Sequence, residues 1–254
     1  MLLRRTGLLA ALCFYLPALA AQPPMTSASV RIDGAVRAAG DYVTPNGRVS
    51  SAISAARPSP DAFITGASYS RASARSEQVR LKAGLEYSLT QLAARGDPQL
   101  RGVAERLQQW LAIHEATGRV SILADAHLMQ AQPRHDMVIE AGDHLHIPQR
   151  PASVQVLGAV AGTCTLPHAP LKEARQYLSE CPPIGDADPD RIYVIQPDGM
   201  VQELGVATWN RDDPQSIAPG GYLYVPIAES RLRSLDPDFN TDFATFVATQ
   251  PVSH

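Results

Sequence analysis

The chain has 254 residues and a net charge of −3, with both signs spread along its length. That balance offers no basic footprint for nucleic acid, and after the first two dozen residues no stretch approaches the roughly 18 apolar residues of a membrane span. A mature length of about 230 residues suits two domains.

Arg4 and Arg5 precede an apolar run from Leu8 to Leu16 that is too short to cross a bilayer, and Ala18-Leu19-Ala20 supplies a small-residue cleavage site. Residues 1–20 are therefore predicted as a cleavable signal, and the mature chain leaves the cytoplasm by a Sec or a Tat route. Cys13 follows Leu12 where a lipoprotein signal needs a small residue, so lipidation is not expected.

Val30 to Val36 alternates with the period of a half-buried strand, and Ala38 to Asp41 reads as a hairpin turn into Tyr42-Val43. Val49, Ile53 and Ala56 share one helical face, ended by Pro58 and Pro60. Asp61 to Gly66 is predicted as a third strand and Asp143 to Pro148 as a closing one. Between them, over about 76–116, the pattern turns helical. Val79, Leu85, Leu89 and Leu92 precede Gly96, then Asp97 caps and Pro98 opens a second helix carrying Leu100, Val103, Leu107, Trp110 and Leu111. This is a helical hairpin set into a first domain at 28–149, and its stripe reads as core.

The phrase Val30-Arg31-Ile32-Asp33-Gly34-Ala35-Val36 returns as Val154-Gln155-Val156-Leu157-Gly158-Ala159-Val160, and Ile139 to Pro148 returns as Ile217 to Pro226. Internal repetition of this kind indicates two similar domains. The second, at 151–228, is predicted with strands Val154–Leu157, Cys164–Leu166, Ile192–Ile195 and Tyr222–Val225 and a helix Ala169–Leu178. A sheet clasping one helix in this order is a β-grasp arrangement, so the fold class is α+β with two tandem β-grasp domains. Cys164 and Cys181 are the cysteines left after signal removal. In an oxidising compartment they form one disulfide worth roughly 3 kcal/mol, or else two buried thiols. At 236–248, Asp236 and Pro237 open an amphipathic helix whose face carries Phe239, Phe243, Phe246 and Val247. At about 20 Å it is too short to span a bilayer. It docks on the protein body or offers a membrane or partner contact.

Catalytic signatures are missing: no nucleophile elbow, zinc-protease helix, phosphate-binding glycine loop or Cys-x-x-Cys occurs. Asp186, Asp188 and Asp190 alternate like calcium-loop ligands, but Arg191 and Pro197 stand where that loop needs glycine and glutamate. Glu140, Asp143, Asp212 and Asp213 are carboxylates without a readable working separation. His144 and His146 lie two apart on the closing strand of the first domain, as Tyr222 and Tyr224 do in the second. Each pair points from one face of its sheet. Such rings suit stacking on sugars or partner contact, or they simply cover the outer face. A third metal ligand is missing beside the histidines, with His135 the only near candidate, and no metal or other cofactor is expected.

The Val-x-x-x-Gly-Ala-Val phrase, Gly40-Asp41-Tyr42, and Asp61-Ala62-Phe63-Ile64-Thr65-Gly66-Ala67-Ser68-Tyr69-Ser70-Arg71 together resemble the soluble-ligand-binding β-grasp domains of polysaccharide export proteins. With a signal, a helical insertion and a terminal helix, residues 28–248 resemble the GfcC family of capsule and exopolysaccharide biosynthesis proteins, which includes YjbG-like members. The resemblance implies a periplasmic, non-enzymatic accessory of polysaccharide export whose partners are the export machinery, an outer-membrane channel above all, or the polysaccharide itself. The chain departs from export channels in lacking a lipidation site and a long terminal helix, so it is not expected to form the pore.

Overall fold

In a computed structural model the described residues are 28–252, so the predicted signal and Cys13 lie outside them. The first sheet holds β1 (Val30–Gly34), β2 (Gly40–Tyr42), β3 (Ser68–Ser70), β4 (Arg119–Val120) and β5 (Asp143–Ile147) in the order β2-β1-β5-β3-β4. The second holds β6 (Ser153–Gly158), β7 (Cys164–Pro167), β8 (Arg191–Ile195), β9 (Val201–Gly205) and β10 (Tyr222–Val225) in the order β7-β6-β10-β8-β9. Position by position these are one topology used twice. In each sheet the first and last strands run parallel, β1 with β5 and β6 with β10, and the remaining pairs are antiparallel. Isolated bridges repeat as well: Val36 meets Pro58 as Val160 meets Pro183.

The repeated glycine has a steric cause. Gly34 and Gly158 sit at φ +90° and +110°, and a Cβ on either would overlap the carbonyl oxygen that ends the neighbouring parallel strand, Ile147 or Val225. That oxygen accepts the next amide in each copy, Ala35 N at 2.6 Å and Ala159 N at 2.8 Å. Only a residue without a side chain turns out of the sheet here.

Two expected elements shift. Residues 61–66 are not a strand: Phe63 N donates to Pro148 O at 2.8 Å, the chain then makes a 3-10 turn over Ile64–Gly66, and pairing starts at Ser68. The apolar Phe63-Ile64 pair belongs to this turn, in which the Phe63 ring closes over Gly66. The helix expected at 169–178 is a 3-10 helix, Ala174–Ser179, entered after Pro170 and after Leu171 at φ +62°. Glu173 and Gln176 cap it reciprocally. Behind it Cys164 and Cys181 are disulfide-bonded, with Cα atoms 6.2 Å apart. In the first domain the equivalent place is taken by helix α1 (Val49–Ala56).

The hairpin is α2 (Ala72–Arg95) and α3 (Pro98–Ile113), inserted between β3 and β4 where the second domain has a tight turn at Gln196 to Met200. Asp97 accepts from Gln99 N at 3.1 Å and Leu100 N at 3.0 Å, as a cap before Pro98 should. Its apolar stripe packs away from the domain that carries it. Leu85, Leu89, Leu92, Leu100, Val103, Leu107, Trp110 and Leu111 share one core with β6, β8 and β10 of the second sheet, while Val30, Ile32, Ile53, Tyr69, Leu145 and Met129 form a separate core in the first domain. Met129 belongs to a short helix, α4 (Ala126–Ala131), that packs on α1. After β10 the chain makes a turn of helix, α5 (Glu229–Leu232), and then the terminal helix α6 (Phe239–Ala248), which lies against α2 and on the second sheet. No helix of the described residues is long and apolar enough to cross a membrane.

Arg119 joins the two halves. It is 7 % exposed, and its guanidinium donates to the carbonyls of Ala248 (3.2 Å), Gln250 (2.7 Å), Ala67 (3.2 Å) and Pro197. Burial pushes its pKa down from the usual arginine range, opposed by the charge of Asp198.

Candidate functional site

The outer face of each sheet, turned away from the clasped helix, follows from the registers. In the first sheet one row across the strands is Arg31, His144 and Ser70, and the next is Asp33, His146 and Ser68. In the second the equivalent rows are Gln155, Tyr222 and Ile195, then Leu157, Tyr224 and Tyr193. One face is polar and its counterpart is mostly apolar. The sheets have the same topology, so this difference lies in side chains alone.

On the first face Asp33 bridges the two histidines. Its Oδ2 lies 2.9 Å from His144 Nε2 and its Oδ1 lies 2.6 Å from His146 Nδ1. Parallel pairing of Asp33 with His146, one pleat beyond Arg31 with His144, sets a carboxylate between rings two residues apart. Arg31 reaches Asp33 at 3.9 Å and Asp41 at 4.0 Å. Burial tends to raise the Asp33 pKa, but the hydrogen bonds from His146 and His144 outweigh it and hold the carboxyl below its usual range. The side chains of His144 and His146 keep 41% and 32% of their surface exposed, so the row meets solvent. This is a preorganised set of donors and acceptors at a surface, suited to hydroxyl-rich or polar ligands. Sequence reasoning found the histidines and missed Asp33, whose role appears only once β1 and β5 are paired in register.

Tyr222 and Tyr224, expected as the exposed counterparts, are 3% and 0% exposed. The hairpin and α6 cover them. Trp110 meets Tyr222 edge-on at 6.4 Å, and Phe243 lies 4.9 Å from the Tyr224 ring. Tyr224 Oη donates to Asn240 Oδ1 at 2.8 Å, and Asn240 in turn holds both main-chain groups of Ile227. Burial pushes the Tyr224 hydroxyl well above its ordinary pKa. These rings have no face left for stacking on a sugar. The apolar face of α6 is likewise occupied, with Phe239, Phe243 and Phe246 at 0% and Val247 at 1% exposure. Of the alternatives for that helix, docking on the protein body is what the structure contains.

Of the other carboxylates singled out from the sequence, Asp143, Glu140, Asp212, Asp186 and Asp188 have structural partners. Asp143, 2% exposed, accepts from Tyr69 Oη, from Arg71 Nε at 3.0 Å and Nη2 at 2.8 Å, and from Glu140 N at 2.7 Å. Burial raises the Asp143 pKa, and the Arg71 and Tyr69 hydrogen bonds bring it below the ordinary carboxylate range. Glu140 pairs with Arg71 at 2.9 Å, and Asp212 accepts from Gly205 N at 2.7 Å. Asp188 accepts the amides of Asp190 and Arg191 in a local turn, while Asp186 pairs with Arg231 at 2.8 Å. Among the described residues no group of three His, Cys, Asp or Glu side chains is placed to hold a metal ion.

Comparisons with known proteins point one way. Residues 162–251, from just before β7 through α6, match the family described as Capsule biosynthesis GfcC C-terminal. The chain is also 27% identical over 173 residues to the "Uncharacterized protein YjbG" of Escherichia coli (strain K12), an alignment covering 66% of this chain and 70% of that protein. The family match takes in β7 to β10 and the terminal helix, while β6 and the hairpin, which share their core, lie outside it.

Proposed function

We propose, for a chain that is of the GfcC type and so belongs with capsule biosynthesis proteins, that it is a periplasmic accessory in making or exporting a surface polysaccharide, acting by contact and not by turnover. The observation that carries this reading is the asymmetry of the two outer faces. The second β-grasp sheet is roofed by the chain's own helices, while the same face of the first keeps Asp33, His144 and His146 at the surface in fixed hydrogen-bonded geometry. The second domain then serves as scaffold and the first as the contact surface for the polysaccharide. An outer-membrane export channel is the protein partner to which it would deliver or hold the chain.

The test is genetic and quantitative. The gene is deleted in its native host, and polysaccharide is measured separately on the cell surface and in the periplasm. Complementation uses wild type or a triple variant, Asp33→Ala with His144→Ala and His146→Ala. Loss of surface material on deletion, restored by wild type but not by a folded triple variant, supports the reading. Unchanged surface polysaccharide on deletion defeats it. Soluble sugar released by the purified protein would replace contact with catalysis.

A further inference from the structure

Beyond Val120 the chain keeps the habit of a strand without a strand's partner. The open edge of β4 is first covered by side chains: Gln78 on α2 donates to Arg119 O at 2.8 Å and accepts from Gly118 N at 2.7 Å, and Thr117 Oγ1 accepts from Arg119 N at 3.0 Å. This amide acts as a surrogate neighbouring strand. It ends at Arg119. From Ser121 to Ala124 the backbone forms no helix, bridge or turn, and burial alternates, with Ser121 and Leu123 exposed and Ile122 and Ala124 turned inward. Main-chain groups of these four residues hydrogen-bond to nothing among the described residues. Val120 pairs with Tyr69 and the Arg119 groups point to the open edge, so the same alternation continued past β4 would aim the N–H and C=O of Ser121 and Leu123 that way.

That open edge lines a cleft of about 700 Å³ between the first domain and the β8–β9 turn of the second. Its other walls include Ile64, Leu128 and Met137, with Arg134 at the rim. The two carboxylates in the lining are engaged locally, Asp125 with the amides of His127 and Leu128 and Asp198 with that of Met200. Arg134 has no acidic partner among the described residues; its guanidinium bonds to His135 at 2.9 Å and Gln132 at 3.5 Å. No Trp, Tyr or Phe lines the cleft, and its one imidazole, His135, accepts from Arg134. What it offers is a row of main-chain groups without a protein partner, alternate apolar contacts and one cation outside any ion pair. Together these are the requirements for recognising an extended peptide by strand addition.

We propose that Ser121–Ala124 is a docking edge that accepts an extended peptide segment of a partner protein as an added strand, with apolar side chains at alternate positions and a carboxylate within reach of Arg134. The site is separate from the Asp33, His144 and His146 row and does not depend on the polysaccharide reading. A random dodecapeptide display library selected on the full mature chain provides the probe. Selected peptides should be rich in alternating apolar residues with an acidic one. On binding they should slow hydrogen exchange at the Ser121 and Leu123 amides. Leu123→Pro, which removes one outward N–H from an exposed extended position, should weaken them about tenfold, while Leu123→Val should leave affinity unchanged. The proposal is overturned if no peptide is selected, if binding protects other surfaces, or if Leu123→Pro binds as well as wild type while melting normally. Concentration-dependent dimerisation that protects the same two amides without peptide would overturn it in favour of a second copy.

Discussion

Arg119 carries a charge into the interior with carbonyls instead of a carboxylate around it. Four carbonyl oxygens from three separate segments converge on one guanidinium, a geometry that a planar fork can satisfy and a lysine ammonium cannot. Arg119→Ala should lower stability by about 3 kcal/mol, because buried acceptors lose charged donors, and Arg119→Lys should recover less than half of that. Urea denaturation of the two variants checks the order. Acid acts on other residues. Asp33 and Asp143 have folded pKa values below the ordinary 3.8. Each therefore contributes stability that is fully present above its unfolded pKa and is lost as pH falls through the folded value. Wild type should weaken as pH drops below about 4, and Asp33→Asn should flatten part of that slope by being less stable than wild type above about pH 4 and closer to it in acid. A Tm series from pH 2.5 to 8 decides it; an identical slope in Asp33→Asn would mean the carboxylate is not held by its histidines. Asp33 was hidden from sequence reasoning because its partners lie 111 and 113 residues away, a separation that only the parallel register closes.

Elements with a repeated phrase or a long regular period were legible; short elements with neither were missed. The Val-x-x-x-Gly-Ala-Val phrase is readable because a strand must leave a parallel neighbour through a glycine, and the structure shows both copies doing so. Gly34→Ala and Gly158→Ala should each cost about 2 kcal/mol or more, combining a positive φ with backbone overlap. Gly142→Ala, also at positive φ but with nothing near the added carbon, should cost about 1 kcal/mol. Thermal melts of the three separate overlap from backbone strain; equal losses would remove the steric account of the repeat. By contrast β4 has two residues and no period to read, and the third strand was placed too early because Phe63 and Ile64 imitate one. Burial in β10 explains the misjudged tyrosines. Tyr222, Leu223, Tyr224 and Val225 are all buried, whereas β5 alternates. A run apolar on both faces is the signature of a strand covered on both sides, and the difference between His-Leu-His-Ile and Tyr-Leu-Tyr-Val carried it.

At the scale of the molecule the hairpin decides how the domains behave. It leaves the chain from the first domain and buries its stripe in the second, beside α6. Each fully buried Leu or Val contributes about 1.5–3 kcal/mol, so three or four of its side chains match the ~5–15 kcal/mol net stability of a whole domain. The full chain should therefore unfold in one cooperative transition, with no separate melting of the β-grasp units. A fragment of residues 151–252 keeps its sheet, its disulfide and α6 but loses the roof over Tyr222 and the contacts of Trp110 with Phe243 and Phe246. That fragment should bind a hydrophobic dye and melt broadly, because an exposed apolar patch of this kind is not left bare in a stable monomer. Joining residues 72–117 to it through a flexible linker should restore a sharp transition. Calorimetry on the three proteins is the check. If the bare fragment melts as sharply and as high as the full chain, the hairpin is an ornament of the first domain and the two sheets are free to move independently. If the linked fragment recovers the transition, the hairpin is a structural part of the second domain, and the first sheet, from which it is inserted between β3 and β4, is tethered through it to a domain whose own face the chain has already closed.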